Sequence, residues 1–498
     1  MADWNLRLFL DEGSSTPVYR QIAQAFIDEV QRGRLKPGDS LPGYRQLAEH
    51  LCVARNTVMA AYEELQAAGW LVSRSGVGSV VAPNPPLHLG QGPTTAPPSP
   101  ARPLNSSDLI GFDLSEGGTA AEHSLARGHL HFASGVPDAA LFPGDALARA
   151  YGRALRRTRH NPLAVEDAQG HPRFRAALAG MLSRTRGIRA SEEHIFVTRG
   201  SQHALFLLAE TLCSPGDGVA VERLGDRGAW EAFGRAGARC LPVSVDQDGL
   251  DVDAVAALAE RERLRAVLVT PNRQYPTLVP LGSARRARLL ELAARHRFAV
   301  LEVDRDSELH YDGRPLAPLA ATDTAGVVIH VGTLSKLLSP GLRLGFVHGP
   351  ARLVRRMKAL RLAVDRQGDM VLELALAELM EDGELQAHLS RMRETYRRRR
   401  DWLCAALRRE LGDAVHAPLP AGGLALWLTV APHVDVDAWA ARSLARGVSF
   451  RPGRYFSFEW AAVQGLRLGF SNAAEAQLDE LARRMGAALA EAVYRAES

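Results

Sequence analysis

The chain has little cysteine and no long apolar run. Its four cysteines, Cys52, Cys213, Cys240 and Cys404, are scattered, and no two form a Cys-x-x-Cys pair. This pattern favours reduced thiols in a cytoplasmic protein over a disulfide framework. No apolar run reaches the length of about 18 residues that a membrane-spanning helix needs. The start, MADWNLRLFLDE, lacks a basic region followed by an apolar core, so we expect no signal peptide.

An excess of charge is also missing. The net charge is +4 over 498 residues, and charged residues make up 23% of the chain. So small a net charge gives no general affinity for polyanions. The acidic run at 304–308 has no matching histidine cluster, so we expect no metal site there. The length indicates two or three domains.

Three helical patterns and a hairpin fill residues 1–82. Apolar residues four apart, from Val18 to Val30, form one helical stripe. A short helix follows over 44–50, and a third helix begins at Arg55. Residues 70–74 then pair with 79–81 around a glycine-containing turn. This order predicts a winged helix-turn-helix domain, whose third helix enters the DNA major groove.

Five residues of this domain are candidates for DNA contact. The third helix would present Arg55, Asn56 and Thr57 to base edges, while Arg45 and Arg74 would reach phosphates or the minor groove. Charge does not separate this interpretation from an ordinary three-helix domain, because residues 1–82 hold eight Lys and Arg against nine Asp and Glu. DNA binding therefore depends on where these side chains point.

The same stretch carries specific motifs. It contains LP-x-x-R-x-LA, RNTV-x-x-AY-x-x-L and G-W-L-x-S-R-x-G-x-G-x-x-V, and it resembles the DNA-binding domain of GntR-type bacterial regulators. Two positions depart from that family. Cys52 occupies a turn position where the family usually has glycine. Ala54 stands where the family usually has a serine that caps the recognition helix, a loss of about 1 kcal/mol.

Residues 83–127 form a linker rich in Pro, Gly, Ser and Thr, and residues 128–498 form a second domain. We predict a large part at about 160–360 and a smaller α/β part at about 361–498, with short strands around 423–430 and 465–470. Short apolar strands alternate with amphipathic helices in the large part, which indicates a largely parallel sheet with its ligand site at the carboxyl ends of the strands. The strands predicted there are 195–198, 219–222, 240–245, 266–270, 299–304, 327–332 and 344–348.

One lysine stands out in the second domain. The stretch 332–345, GTLSKLLSPGLRLG, follows a buried-strand pattern and surrounds Lys336 with small, hydroxylic and apolar residues. Hydroxyls can hold a phosphate, and apolar neighbours lower the pKa of an amine towards its nucleophilic form. The alternative is an ordinary lysine in a surface loop.

Other polar residues follow the predicted strand ends and suit pyridoxal phosphate with an amino acid. Gly200, Ser201 and Gln202 open a helix whose N–H groups could bind a phosphate. Arg343 and Arg467 could clamp a carboxylate. The remaining candidates for contact with the cofactor are Asn272, Tyr275, Thr333 and Ser335.

The motifs GSQHAL, TPNRQYPT, DSELHYDGRPL, GTLSKLLSPGLRLGF and LRLGFSN resemble fold-type I aminotransferases. Together with the head and linker, they resemble MocR-type regulators, in which a GntR-type head is fused to this α/β fold of pyridoxal-phosphate-dependent transferases. The resemblance implies pyridoxal phosphate as cofactor, with Lys336 as its Schiff-base lysine and Arg343 and Arg467 on the ligand side. It also implies a homodimer.

Several positions depart from that pattern, among them a serine–histidine pair that becomes Asn272 and Arg273. Where the family reads EDDYDSEF, the aspartate that pairs with the ring nitrogen falls on Val303, and the tyrosine that bonds the ring hydroxyl falls on Arg305. The tyrosine that stacks on the ring falls on Asp226, and a glycine falls on Leu278. Valine cannot keep the ring nitrogen protonated, and the adjacent Asp304 should face the other side of its strand.

Three interpretations follow. The first is a DNA-binding transcriptional regulator whose second domain dimerises and senses a small molecule, such as an amino acid or amine, through pyridoxal phosphate on Lys336. In the second, the domain has lost the cofactor and acts as a scaffold or senses another ligand. The third is a working aminotransferase, which Val303, Arg305 and Asp226 disfavour.

Overall fold

The computed structural model describes residues 16–74, 78–86, 129–132, 135–157 and 167–494. The chain divides into two compact units, Met1–Ala121 and Glu122–Ser498, called here the head and the body. Most of the predicted linker, and the hairpin tip at 75–77, lie outside the described residues. Within the described ranges, no helix is both long and apolar enough to cross a membrane.

The head has the predicted three helices and hairpin. Its core contains Ile22, Phe26 and Val30 of the predicted stripe, whereas Val18, the first residue of its helix, is 41% exposed. The two strands pair antiparallel. The elements are α1 (Val18–Gln31), α2 (Tyr44–Leu51), α3 (Arg55–Ala67), β1 (Leu71–Arg74) and β2 (Gly78–Val81).

The turn between α2 and α3 shows the effect of the two departures from the GntR pattern. Cys52 adopts a left-handed conformation with φ of 53°, which glycine adopts without the steric cost that a side chain brings. Ala54 is the N-cap of α3 and supplies no side-chain hydrogen bond. Both positions therefore lack the residue that would stabilise the turn best.

The body alternates strands and helices. Its helices are α4 (Gly144–Arg157), α5 (Pro172–Arg186), α6 (Gly200–Leu212), α7 (Arg227–Arg235), α8 (Val252–Arg261), α9 (Ser283–His296), α10 (Leu319–Thr322), α11 (Ala351–Val364), α12 (Met370–Glu381), α13 (Glu384–Leu411), α14 (Val436–Ala445) and α15 (Glu475–Tyr494). Its strands are β3 (Leu130–His131), β4 (Ile195–Thr198), β5 (Gly218–Glu222), β6 (Arg239–Val243), β7 (Val245–Asp246), β8 (Gly249–Leu250), β9 (Leu264–Val269), β10 (Ala299–Asp304), β11 (Val328–Thr333), β12 (Gly345–His348), β13 (Val415–His416), β14 (Ala425–Val430), β15 (Val448–Ser449), β16 (Arg451–Pro452) and β17 (Gly465–Gly469).

The large sheet confirms the predicted architecture. Its order is β4-β12-β11-β10-β9-β5-β6, and only β12 runs antiparallel to its neighbours. Apolar clusters cover both faces, with Leu205 and Phe233 in one and Leu289 and Phe298 in the other. The carboxyl ends of six strands therefore meet at one edge, the place where such sheets bind ligands.

The smaller part of the body has its own sheet, in the order β13-β14-β17-β16. Its two longest strands, β14 and β17, pair antiparallel, with Trp427 opposite Arg467. Both strands were predicted from the sequence. Arg467 thus comes from the small sheet, whereas Lys336 follows a strand of the large one.

Candidate functional site

The loop after β11 fixes the backbone around Lys336. Thr333 Oγ1 accepts a hydrogen bond from the N–H of Ser335 at 3.1 Å and donates to the carbonyl oxygen of Leu344 at 3.1 Å. Leu334 and Leu337, on either side of the lysine, are buried in the core. Because the two leucines are buried and the Thr333 hydroxyl bonds within the turn, Lys336 is the residue of this loop that lines the cavity beside the strand end.

Lys336 has a reactive electrostatic environment. Its Nζ donates to the carbonyl oxygen of Gly135 at 3.0 Å. Burial, and then the positive charges of Arg305 and Arg467, lower its pKa to about 8, although Asp306 and Asp226 act in the opposite direction. At neutral pH a minor but substantial fraction of this amine is uncharged and nucleophilic.

Asp226 and Arg305 form an ion pair beside the lysine. Asp226 follows β5, and Arg305 follows β10, and their side chains hydrogen-bond directly. Burial alone would raise the pKa of Asp226, but the Arg305 charge and hydrogen bond outweigh it, and that pKa is lowered. The two residues that replace the ring-contacting tyrosines of the resembled family therefore satisfy each other.

Two arginines flank the aromatic ring of Tyr275. The guanidinium carbons of Arg305 and Arg467 each lie 4.8 Å from the ring centre, a distance suited to cation–π attraction. Arg467 also donates to the carbonyl oxygen of Pro276 at 3.2 Å. Its Nε is buried and has no hydrogen-bond partner among the described residues.

The remaining polar side chains of this edge bond to one another. Asn272 donates to Ser307 Oγ at 3.2 Å, and Arg273 pairs with Asp306 at 2.8 Å. Glu222 accepts from both the N–H and the hydroxyl of Thr270, at 3.2 and 2.7 Å. Asn272 is therefore held by protein groups, and the prediction that it contacts a cofactor stays untested.

The predicted phosphate loop lies at the end of β4. Gln202 donates to the carbonyl oxygen of Gly228 at 2.7 Å, and Ser201 is half-buried. The hydroxyl of Ser335 is buried without a partner among the described residues. Hydroxyls and helix N–H groups of this kind can donate hydrogen bonds to a phosphate. The predicted cofactor contacts of Ser201, Gln202, Thr333 and Ser335 remain predictions.

Arg343 and Arg467 donate to different backbone carbonyls, and the predicted carboxylate clamp stays a prediction. Arg343 adopts a left-handed conformation with φ of 48° and donates to the carbonyl oxygen of Arg199 at 3.3 Å. Arg343 thus lies beside Gly200 of the predicted phosphate loop, because the chain after the Lys336 loop returns as β12, which pairs with β4. Arg467 comes from the small sheet and contacts Tyr275 and Pro276 instead.

A cavity of about 100 Å³ opens between these groups. It is lined by Thr270, Asn272, Arg273, Gln274, Tyr275, Leu278, Val303, Asp304, Arg305, Asp306, Lys336 and Arg467. The residues present do not fit the ring of pyridoxal phosphate as the resembled family holds it. Val303 offers no carboxylate to the ring nitrogen, and the paired charges of Asp226 and Arg305 replace both aromatic contacts.

Asp304, which adjoins Val303, cannot take over its missing role. Its carboxylate pairs with the buried Arg186 and accepts a hydrogen bond from the N–H of Ser307. Burial would raise its pKa, but the charge of Arg186, together with smaller contributions from its other neighbours, outweighs this and lowers it. Strand alternation predicts that Asp304 faces away from Val303; both residues line the cavity, and the Asp304 carboxylate is engaged by Arg186.

The sequence analysis missed three contacts of the site. Gly135 bonds Lys336, Asp306 holds Arg273, and Asp226 pairs with Arg305. Only the third left a signal in the sequence, since two tyrosine positions had been exchanged for opposite charges. In the head, Arg45, Arg55, Asn56 and Arg74 are exposed, whereas Thr57 is half-buried; their contact with DNA stays a prediction.

Comparison with protein families accounts for both units. The family "Aminotransferase class I and II" matches residues 131–485, and "Bacterial regulatory proteins, gntR family" matches residues 18–81. The "Probable rhizopine catabolism regulatory protein MocR" of Rhizobium meliloti is 32% identical over 93% of this chain and 92% of its own length. The "HTH-type transcriptional regulator TauR" of Rhodobacter capsulatus is 32% identical over 97% of this chain and 98% of its own.

Solved structures resemble the body. The multiple substrate aminotransferase of Thermococcus profundus has a TM-score of 0.69 at 28% identity, covering 74% of this chain and 93% of its own. The α-aminoadipate aminotransferase LysN of Thermus thermophilus, complexed with N-(5'-phosphopyridoxyl)-L-leucine, has a TM-score of 0.68 at 29% identity, covering 74% and 94%. The body therefore has the fold-type I aminotransferase fold, which typically binds pyridoxal phosphate.

Proposed function

Because the chain belongs to the MocR-type GntR family of bacterial transcriptional regulators, we propose that its body is the sensor of this DNA-binding protein and binds a small carboxylate in the cavity beside Lys336. The observation that carries this proposal is the state of Arg467. Its side chain is 6% exposed, and its Nε lacks a partner among the described residues. A buried guanidinium favours an anion at such a position.

The charges around the cavity favour an acid over a simple amine. Four cationic side chains line it, those of Arg273, Arg305, Lys336 and Arg467, against two acids, Asp304 and Asp306. Both acids already pair with arginines, Asp304 with Arg186 and Asp306 with Arg273. The sequence-based expectation of an amino acid or amine therefore narrows to an amino acid or another small carboxylic acid.

Binding would act on DNA through the oligomer. In the proposed arrangement the body forms a homodimer in the cytoplasm and carries two heads, and the effector changes how the dimer presents them to an operator. The head would use Arg55, Asn56 and Thr57 on bases and Arg45 and Arg74 on the backbone. Size-exclusion chromatography with light scattering tests the dimer.

Sensing through pyridoxal phosphate on Lys336 is the second candidate. The lowered pKa of Lys336, about 8, and the unpartnered buried hydroxyl of Ser335 favour it. The residues at 226, 303 and 305 oppose it, and Val303 opposes an aminotransferase reaction still more, because the ring nitrogen would stay unprotonated.

Selection from a random-sequence duplex library tests the head. The wild-type chain should enrich one motif, and Arg55→Ala should relax its base preference. Arg45→Ala should instead reduce the salt dependence of binding by about one phosphate contact. Arg20→Ala, an exposed change on α1, is the matched control. An unchanged motif and affinity in the Arg45→Ala/Arg55→Ala double variant would refute the proposed contacts.

Calorimetry tests the sensor. Amino acids and small mono- and dicarboxylic acids are titrated into the purified chain, and the binding acids should lose affinity in Arg467→Met. Arg352→Met, which changes an exposed arginine of α11 outside this cavity, is the control. Equal affinity of wild type and Arg467→Met would remove Arg467 from the site.

A further inference from the structure

We infer that this body has replaced the ring-binding part of its cofactor site with the internal Asp226–Arg305 ion pair, and that it binds its acidic effector directly, without pyridoxal phosphate. The second half of this inference rests on the proposed sensor function. The first half rests on the geometry of the cavity alone.

The ion pair occupies the ring position from two sides. By the resemblance described above, position 226 supplies the stacking tyrosine and position 305 the tyrosine that bonds the ring hydroxyl. Here these two residues, 79 positions apart, bond to each other, and the N–H of Gly228 donates to Asp226 at 3.1 Å. The Arg305 guanidinium also lies 4.8 Å from the centre of the Tyr275 ring, so both Asp226 and Tyr275 hold it in place.

The replacements at positions 226 and 305 compensate each other electrostatically. Either charge alone would be partly buried, with side chains 20% (Arg305) and 30% (Asp226) exposed, and would lack its charged partner, which is unfavourable. With both present, each charge is neutralised inside the site, and the charge of Arg305 lowers the pKa of Asp226 although burial acts in the opposite direction. A site that had merely lost its tyrosines would show no such complementarity.

The cavity beside Lys336 is also smaller than a usual cofactor site. Its volume is about 100 Å³, whereas sites for small molecules and cofactors usually measure about 300–1,000 Å³. Leu278 lines it with φ of 68°, at the position where the resembled family has glycine. A leucine in this left-handed conformation fills space that a glycine would leave open.

A small acid fits what remains. Val303 and Leu278 line the same cavity as the cationic residues Arg467 and Lys336. A carboxylate could accept a hydrogen bond from the Nε of Arg467, which has no partner in the described part of the chain, and a short aliphatic chain could contact the two apolar residues. No aromatic carrier is required to hold such a ligand.

Reductive trapping tests the loss of the cofactor site. Pyridoxal phosphate is added to the full-length chain, borohydride fixes any lysine adduct, and peptide mapping compares the chain's three lysines, Lys36, Lys336 and Lys358. We expect Lys336 to be modified no more than the other two, with no change in melting temperature on adding the cofactor. Preferential, saturable modification of Lys336 in wild type, with a raised melting temperature, would overturn the inference.

A variant that restores the family's residues tests the inference from the opposite direction, by a gain of pyridoxal phosphate binding. Asp226→Tyr, Val303→Asp and Arg305→Tyr together restore the family's contacts and should give preferential modification of Lys336, which Lys336→Ala removes. Leu278→Gly alone, a milder change, should give partial labelling if the triple variant folds poorly. Failure of both folded variants to label would show that something other than these residues excludes the cofactor, which would overturn the assigned role of the ion pair.

Direct binding is tested with succinate and glutamate as probes, by calorimetry on chain freed of pyridoxal phosphate by dialysis against hydroxylamine. Binding of either acid that is unchanged by added cofactor, and lost in Arg467→Met, is the expected result. Binding that needs the cofactor would overturn direct sensing. If neither acid binds under any condition, the proposed sensor function fails for these acids and direct binding with it, while the trapping result decides the cofactor question separately.

Discussion

The amine of Lys336 donates to the carbonyl oxygen of Gly135 at 3.0 Å, although 201 residues separate the two in the chain. Gly135 has φ of 53°, and a Cβ at this position would lie 2.8 Å from the carbonyl oxygen of Leu424. Only glycine therefore lets the segment approach closely enough to hold the amine. This contact joins the start of the body to the most reactive side chain of its cavity.

The first prediction concerns the reactivity of Lys336. Because its pKa is lowered to about 8, chiefly by burial, its methylation by formaldehyde and cyanoborohydride should reach half its maximal rate near pH 8. Peptide mapping separates it from the two other lysines. Arg467→Gln removes one of the charges that lower this pKa, so the midpoint should move to higher pH. A rate for wild-type Lys336 that keeps rising up to pH 10 would contradict the lowered pKa.

The second prediction concerns Glu222. Burial raises its pKa to about 7, against the hydrogen bonds of Thr270 that lower it. A folded-state pKa above the unfolded value of 4.5 gives stability that is present below pH 4.5 and is lost as the pH rises to about 7. This group should therefore cost the body roughly 3 kcal/mol between those limits.

Urea unfolding of the body at pH 5 and pH 7.5 measures this effect. Glu222→Gln should gain stability relative to wild type at pH 7.5 and show a flatter pH dependence. Glu291→Gln, at an exposed glutamate on α9, is the control. Parallel pH curves for wild type and Glu222→Gln would show that Glu222 titrates alike in both states.

The third prediction concerns the buried charges behind the cavity. Arg186 pairs with both Asp304 and Glu308, and all three side chains are almost fully buried. Arg186→Met leaves two carboxylates without their partner, so we expect a loss of about 3–5 kcal/mol in the free energy of unfolding. Arg173→Met, on the same helix but in a more exposed pair with Glu381, should cost less than about 1 kcal/mol. Similar losses in the two variants would contradict a special role for burial.

The fourth prediction concerns the recognition helix. Ala54→Ser supplies a hydroxyl that can accept from the N–H of Asn56 or Thr57, so the head should gain about 1 kcal/mol. Ala60→Ser, inside α3, adds the same hydroxyl without a cap and should bring no gain. Thermal unfolding of the full-length chain compares the two. Equal effects would mean that the turn geometry prevents capping.

Local patterns in the sequence were enough to predict much of the architecture. Periods of about four residues gave the helices of the head, and short apolar runs gave the strands of the large sheet, because these patterns depend on neighbours only. The strand ends then placed Lys336, Tyr275 and Asp226 at one edge. The exchange of tyrosine for charge at 226 and 305 is likewise evident in the amino-acid sequence.

The tertiary structure decided which residues meet. The packing of distant segments determines the Asp226–Arg305 pair, the Gly135–Lys336 contact and the different partners of Arg343 and Arg467. No local period encodes a contact across 79 or 201 residues. The sequence by itself determined the family, the reactive lysine and the altered positions. Only the tertiary structure, in which the ends of β5 and β10 meet at one edge of the large sheet, showed that the altered residues neutralise each other, since an ion pair needs a distance as well as two charges.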